Sequence, residues 1–73
     1  MFDLKTATRL AKQEAVGLRV AMVVIEDLTA SPAKRSFYPA RCEWYDSLSD
    51  EAMLDKFLVA DVHIDGSVQT EWL

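Results

Sequence analysis

The chain has 73 residues, 51% of them hydrophobic and 27% charged, which is too apolar for a disordered segment and leaves room for a single domain over residues 1–73 with one small core. Its net charge of −4 conceals an asymmetry: Met1 to Ser36 carries six bases against four acids, whereas Phe37 to Leu73 carries two bases against eight acids. The lone cysteine, Cys42, excludes an internal disulfide framework, and a sequence pI of 4.7 argues against direct nucleic-acid binding.

Asp3 is a good helix N-cap, and Leu4, Ala7, Leu10, Ala11 and Ala15 then recur at helical spacing until Gly17 offers a stop. The opposite face of this first helix carries Lys5, Arg9 and Lys12, a short basic stripe that reads first as a solvated surface. Leu18 to Leu28 follows, with the run Val20-Ala21-Met22-Val23-Val24-Ile25 apolar on both faces, as in a central strand covered on both sides. Leu18, Ala21, Met22, Ile25 and Leu28 also fit a helical stripe, but three valines and an isoleucine in six residues favour the strand.

Thr29 to Arg35, with Ser31-Pro32 and two adjacent bases, reads as a loop. From Phe37 to Tyr45, Tyr38, Ala40, Cys42 and Trp44 alternate with Phe37, Pro39, Arg41, Glu43 and Tyr45, which predicts a half-buried strand. Pro39 has no backbone donor and places that strand at a sheet edge or a bulge. Ser49 then caps a second helix, with Leu48 set to staple onto Met53. Its inner face would be Met53, Leu54, Phe57 and Leu58, and its outer face the acids Asp50, Glu51 and Asp55.

From Leu58 the period is two, with Leu58, Ala60, Val62 and Ile64 on one face, until Asp65-Gly66 signals a hairpin. A two-residue turn would set Gln69 against Val62. A three-residue loop Ile64-Asp65-Gly66, with Gly66 left-handed, pairs Val62 with Val68, Ala60 with Thr70 and Leu58 with Trp72 and keeps the apolar face intact. The competing pattern is a second helix that runs on to Ile64 and is capped by Gly66. The predicted fold is α+β: two helices packed on one face of a three- or four-stranded, largely antiparallel sheet, in the order α-β-β-α-β-β.

Signatures of chemistry are weak. His63 and Cys42 would form a base and nucleophile only in hydrogen-bond contact with an orienting third group, and their predicted strands place them on different faces. One histidine and one cysteine are too few for a zinc site, and Asp61 and Asp65 lack calcium-loop spacing. The twelve acids select no catalytic pair, and Gly17 and Gly66 alone cannot build a phosphate-binding loop. The expectation is a protein that is not an enzyme and needs no metal or cofactor. Val20 to Ile25 is too short to span a membrane, and Met1 to Thr6 interleaves acid and base without the regions of a signal peptide, which points to the cytoplasm and no membrane association.

Protein binding remains. Phe37 and Tyr45, on the mixed face of the proline-bearing edge strand, are expected at the surface with Arg41, Glu43 and Asp46, and Asp50, Glu51 and Asp55 continue the strip. Trp44 and Trp72 are, with Phe37, Arg41 and Tyr45, of the residue types that anchor interfaces, but are expected first to fill the core. Aromatics among acids suit a protein partner with a basic surface, which the domain would modulate or inhibit. Short, acidic, free of motifs and opening on a methionine, the chain resembles in style the small inhibitors encoded by bacteriophages, anti-CRISPR proteins among them, although no motif carries that likeness. Two alternatives stand beside it. One is a structural homo-oligomer whose run Val20 to Ile25, or the strand around Pro39, is completed by a second copy; the other is a weak nucleic-acid binder using the basic stripe.

Overall fold

Asp3 opens the fold as its side chain predicts, accepting the Thr6 N–H at 2.8 Å ahead of helix α1 (Leu4–Leu18). A computed structural model describes residues 2–31 and 33–70. Helix α1 runs through Gly17, the expected stop, and ends at Arg19, a non-glycine residue in the left-handed region (φ 54°) whose N–H donates to the Ala15 carbonyl. The Val20 N–H reaches the same carbonyl, so the chain leaves the helix where Val20 begins to pack on the core. Ala7, Ala11 and Ala15 are fully buried, and these small side chains let α1 lie close on the sheet.

The sheet has four antiparallel strands, β1 (Met22–Asp27), β2 (Ser36–Arg41), β3 (Lys56–Val62) and β4 (Val68–Thr70), in the spatial order β2-β1-β3-β4. Strand β1 is central, as its two-sided apolar run predicts, and Met22, Val23, Val24 and Ile25 are each at most 1% exposed. The helical alternative for this run does not occur. Met22 and Val24 share the core of Ala7, Ala11 and Ala15 with Phe37, Val59, Ala60 and Val62.

Val23 and Ile25 alternate to the opposite face, which α1 cannot reach, yet they are fully buried. The chain between β2 and β3 covers them. It forms two short helices, α2 (Cys42–Asp46), which contacts β1 and β2, and α3 (Asp50–Met53), which contacts β3. The α+β class, the antiparallel sheet and the element order are as expected. The placement of both helices on one face gives way to an α1 layer and an α2–α3 layer on opposite faces, because a central strand apolar on both sides needs two covers.

Two predicted boundaries also move. The strand expected through Tyr45 ends at Arg41, and Cys42, Tyr45 and Leu48, all half-buried, follow the three-residue spacing of a helical turn. The second helix begins where expected, with the Ser49 hydroxyl accepting the Ala52 N–H at 3.2 Å, but it lasts one turn. Lys56 stops it by donating its ammonium to the Ala52 carbonyl at 2.7 Å and to Asp55 at 2.8 Å. Phe57 to Val59, apolar and β-prone, then enter β3.

Within β3 a bulge reverses the expected alternation. Val24 pairs with Ala60 and Ile25 with Leu58, so Val59 is extra, and Leu58 faces away from α1 while Val59 and Ala60 face it. The hairpin register is as predicted: Val62 pairs with Val68 and Ala60 with Thr70, the His63 N–H donates to the Ser67 carbonyl, and Gly66 is left-handed at φ 88°. The helical continuation to Ile64 is absent, and the pairing expected for Trp72 lies outside the described residues. No helix among the described residues is long and apolar enough to cross a membrane.

Candidate functional site

Between β2 and β3 the chain carries five carboxylates and no base: Glu43 and Asp46 on α2, Asp50 and Glu51 on α3, and Asp55 at the entry to β3. All five are exposed. Asp50 and Glu51 stand in the first turn of α3 beside the Ser49 cap, where the free N–H groups favour negative charge. Lys56 pairs with Asp55, and among the described residues the other four acids have no ion-pair partner. The Lys56 pKa is raised, chiefly by that hydrogen bond to Asp55. This lysine ends α3 and offsets the charge of Asp55, which leaves four acids of the layer without a paired base among the described residues.

Two large apolar side chains interrupt the acids. Trp44 is 43% exposed and Leu54 79% exposed. Sequence patterning assigned both to the interior, Trp44 through strand alternation and Leu54 through a longer helix. Once Cys42, Tyr45 and Leu48 mark the inner side of α2, Trp44 must point outward; that three-residue spacing was the available signal. Tyr45, expected at the surface, is half-buried for the same reason. Arg41 is exposed at the end of β2, where it is the residue before α2.

Phe37 does not belong to this surface. It is 4% exposed, lies in the α1 core, and exchanges backbone hydrogen bonds with Phe2 in both directions at 3.1 and 2.9 Å. Its ring also lies under the Arg35 guanidinium, 5.1 Å from the centroid, while that guanidinium donates twice to Glu26 at 2.8 Å. Strand addition along this edge is obstructed, since Phe2 occupies the groups of Phe37 and the next outward-facing residue, Pro39, has no N–H. Central β1 has no open edge at all. The two stretches expected to recruit a second copy by sheet completion are therefore a partly obstructed edge and an interior strand.

Cys42 and His63 do not act on each other through a hydrogen bond. The thiol donates to the Asp46 carboxylate at 3.7 Å, and its pKa is raised, first by burial and then by the charges of Asp46 and Asp61. That environment disfavours the thiolate a nucleophile needs. His63 is exposed at the start of the hairpin loop.

Charge is also sorted by face. Lys5, Arg9 and Lys12 are exposed on α1, on the other side of the sheet from the five carboxylates of the α2–α3 layer. The asymmetry along the chain is thus an asymmetry across the sheet. No family model, curated protein or solved structure matches this chain, so the surface itself carries the functional reading.

Proposed function

We propose that the protein is a non-enzymatic, cytoplasmic binding module that docks a basic protein partner on its α2–α3 layer and modulates or blocks it. One observation carries this reading: Trp44 and Leu54 are exposed among five carboxylates in a segment without a base. Tryptophan is among the residue types that most often anchor interfaces, and the surrounding acids supply long-range attraction to a basic surface. A standard footprint of about 800 Å² per partner is roughly a sixth of the 4950 Å² surface, so one contact suffices to define what this domain does. Inhibition follows where the basic surface covered is the partner's working surface, as in the phage-encoded inhibitors that the chain resembles in size and acidity.

The test begins with capture of a partner on the tagged protein after nuclease treatment and continues with association and dissociation rates for the purified pair. Changing Asp50, Glu51 and Asp55 together to Lys is expected to slow association at least about tenfold at low salt. Trp44→Ala is expected to act on dissociation, weakening the complex by about tenfold or more. Circular dichroism of both variants controls for folding. A partner that the triple variant binds at the wild-type on-rate, or that Trp44→Ala binds as tightly as wild type does, removes this surface from the interaction.

A further inference from the structure

Helix α1 presents a second charged surface. Successive residues turn by about 100° around a helix, so with Ala7, Ala11 and Ala15 buried the outward arc holds Lys5, Thr6, Arg9, Lys12, Gln13 and Val16. No residue of that arc is a carboxylate, and the nearest acid at its N-terminal end is the N-cap Asp3, whose pKa is lowered first by the Thr6 N–H and further by the charges of Lys5 and Arg9. The one acid of α1, Glu14, lies toward the β2 edge beside Phe2, Leu10, Gln13 and Pro39, so it borders the basic arc at Gln13. Lys5, Arg9 and Lys12, with Thr6, Thr8 and Gln13, line a shallow depression of about 640 Å³. Among the described residues none of the three bases is in an ion pair.

We propose that this face binds the phosphate backbone of a nucleic acid without reading its sequence. Lys, Arg, Thr and Gln are the side chains that contact phosphate oxygens, and here they occupy three consecutive turns of one rigid element. An acidic protein is a poorer fit, because the arc offers no aromatic anchor. A membrane is poorer still, since the apolar side of α1 that would enter lipid is buried against the sheet.

The net charge of −4, which argued against this partner, is distributed so that it does not cancel the face. The acidic layer is on the far side of the sheet in a molecule whose smallest extent is 23 Å. The Debye length is about 8 Å at physiological salt. At the surface of α1 the three cations meet the carboxylates of Asp3 and Glu14 nearby and those of the α2–α3 layer only across the sheet, which leaves a small local excess of positive charge. The inference does not depend on the acidic surface having a partner, and variants on the two faces separate the two proposals.

The experiment is fluorescence anisotropy of a labelled duplex of about 24 base pairs, titrated from about 20 to about 150 mM salt, with polyglutamate and anionic phosphatidylserine vesicles as comparison ligands. Three phosphate contacts predict a slope of log K against log salt of about −2.7, and Lys5→Gln, Arg9→Gln or Lys12→Gln is expected to reduce its size by about 0.9 each. Reversing all three to Glu is expected to weaken binding at least tenfold, with helicity retained by circular dichroism, whereas Asp50→Asn with Glu51→Gln leaves the slope in place. No binding at the lowest salt, a slope near zero, binding untouched by the triple reversal, or equal affinity for polyglutamate or vesicles would each overturn the proposal.

Discussion

The two glycines should respond to alanine with opposite signs. Gly17 is helical and exposed, and a Cβ added there meets nothing within 4 Å. Gly in an exposed helix interior costs about 0.5–1 kcal/mol relative to Ala, so Gly17→Ala should stabilise by about that amount. Two residues on, Arg19 holds a left-handed conformation (φ 54°) that costs a residue with a side chain about 1–2 kcal/mol. Arg19→Gly removes that strain and returns about 0.5–1 kcal/mol to the entropy of the unfolded chain, for a net gain of about 0.5–1. The backbone N–H that bonds the Ala15 carbonyl is retained. Moving the glycine from 17 to 19 should therefore add about 1–2 kcal/mol, a rise in Tm of roughly 5–15 °C for a domain of this size. Gly66 is the counterexample, at φ 88° with its would-be Cβ only 3.1 Å from Val16 Cγ2. Gly66→Ala should destabilise by about 1–3 kcal/mol, and adding Val16→Ala should relieve the steric part only. Thermal melts followed by circular dichroism measure all five variants, the two doubles included. A lower Tm for Gly17→Ala or Arg19→Gly, or an unchanged one for Gly66→Ala, would refute this account of the helix end and the hairpin.

Stability should fall in acid. Asp3 is held below the ordinary carboxylate range by the Thr6 N–H, Glu26 by the Arg35 guanidinium, Asp27 by the Thr29 hydroxyl and Asp65 by the Ser67 N–H. A carboxyl depressed in the folded state contributes stability above its unfolded pKa, about 4, and loses it as pH falls through the folded value. The Tm should thus be level from neutrality to about pH 5 and drop below about pH 4, and Asp3→Asn, which still caps α1, should keep the neutral Tm and flatten the drop; an undiminished acid slope in that variant contradicts the assignment. Cys42 should alkylate with iodoacetamide more slowly at pH 8 than an unhindered thiol, and Asp46→Asn should speed it, because burial and then Asp46 raise its pKa. A wild-type rate equal to that of a small thiol peptide would show the sulfur to be free of both influences.

Sequence patterning read correctly wherever one local rule acted without a competitor. Asp3 and Ser49 cap helices because each offers an oxygen three residues before an N–H that needs one. The Ile64-Asp65-Gly66 loop was chosen over a two-residue turn because only one register kept Val62 opposite an apolar residue. Errors arose where two periods overlapped. Tyr38, Ala40, Cys42 and Trp44 keep the strand period past Arg41, while Cys42, Tyr45 and Leu48 begin the helical one, and the change of period falls inside the alternation. The bulge at Val59 was invisible for a related reason: Leu58, Ala60 and Val62 alternate without a break, and only pairing with β1 puts Leu58 on the other face. Those errors favoured the interior for Trp44 and Leu54, so the candidate surface is legible in its charge while its exposed apolar side chains are not.

Charge by halves of the chain becomes charge by faces because of how the halves are laid down. The N-terminal helix takes one side of the sheet, and among the described residues the acidic stretch between β2 and β3 is the segment that covers Val23 and Ile25 on the other. Covering the second face of β1 therefore carries the carboxylates to the surface opposite Lys5, Arg9 and Lys12. Meanwhile Phe2 and Pro39 obstruct the β2 edge, the edge nearest the basic helix. With the two charged faces more than a screening length apart, each presents its charge as a local patch, and the net charge of −4 describes neither.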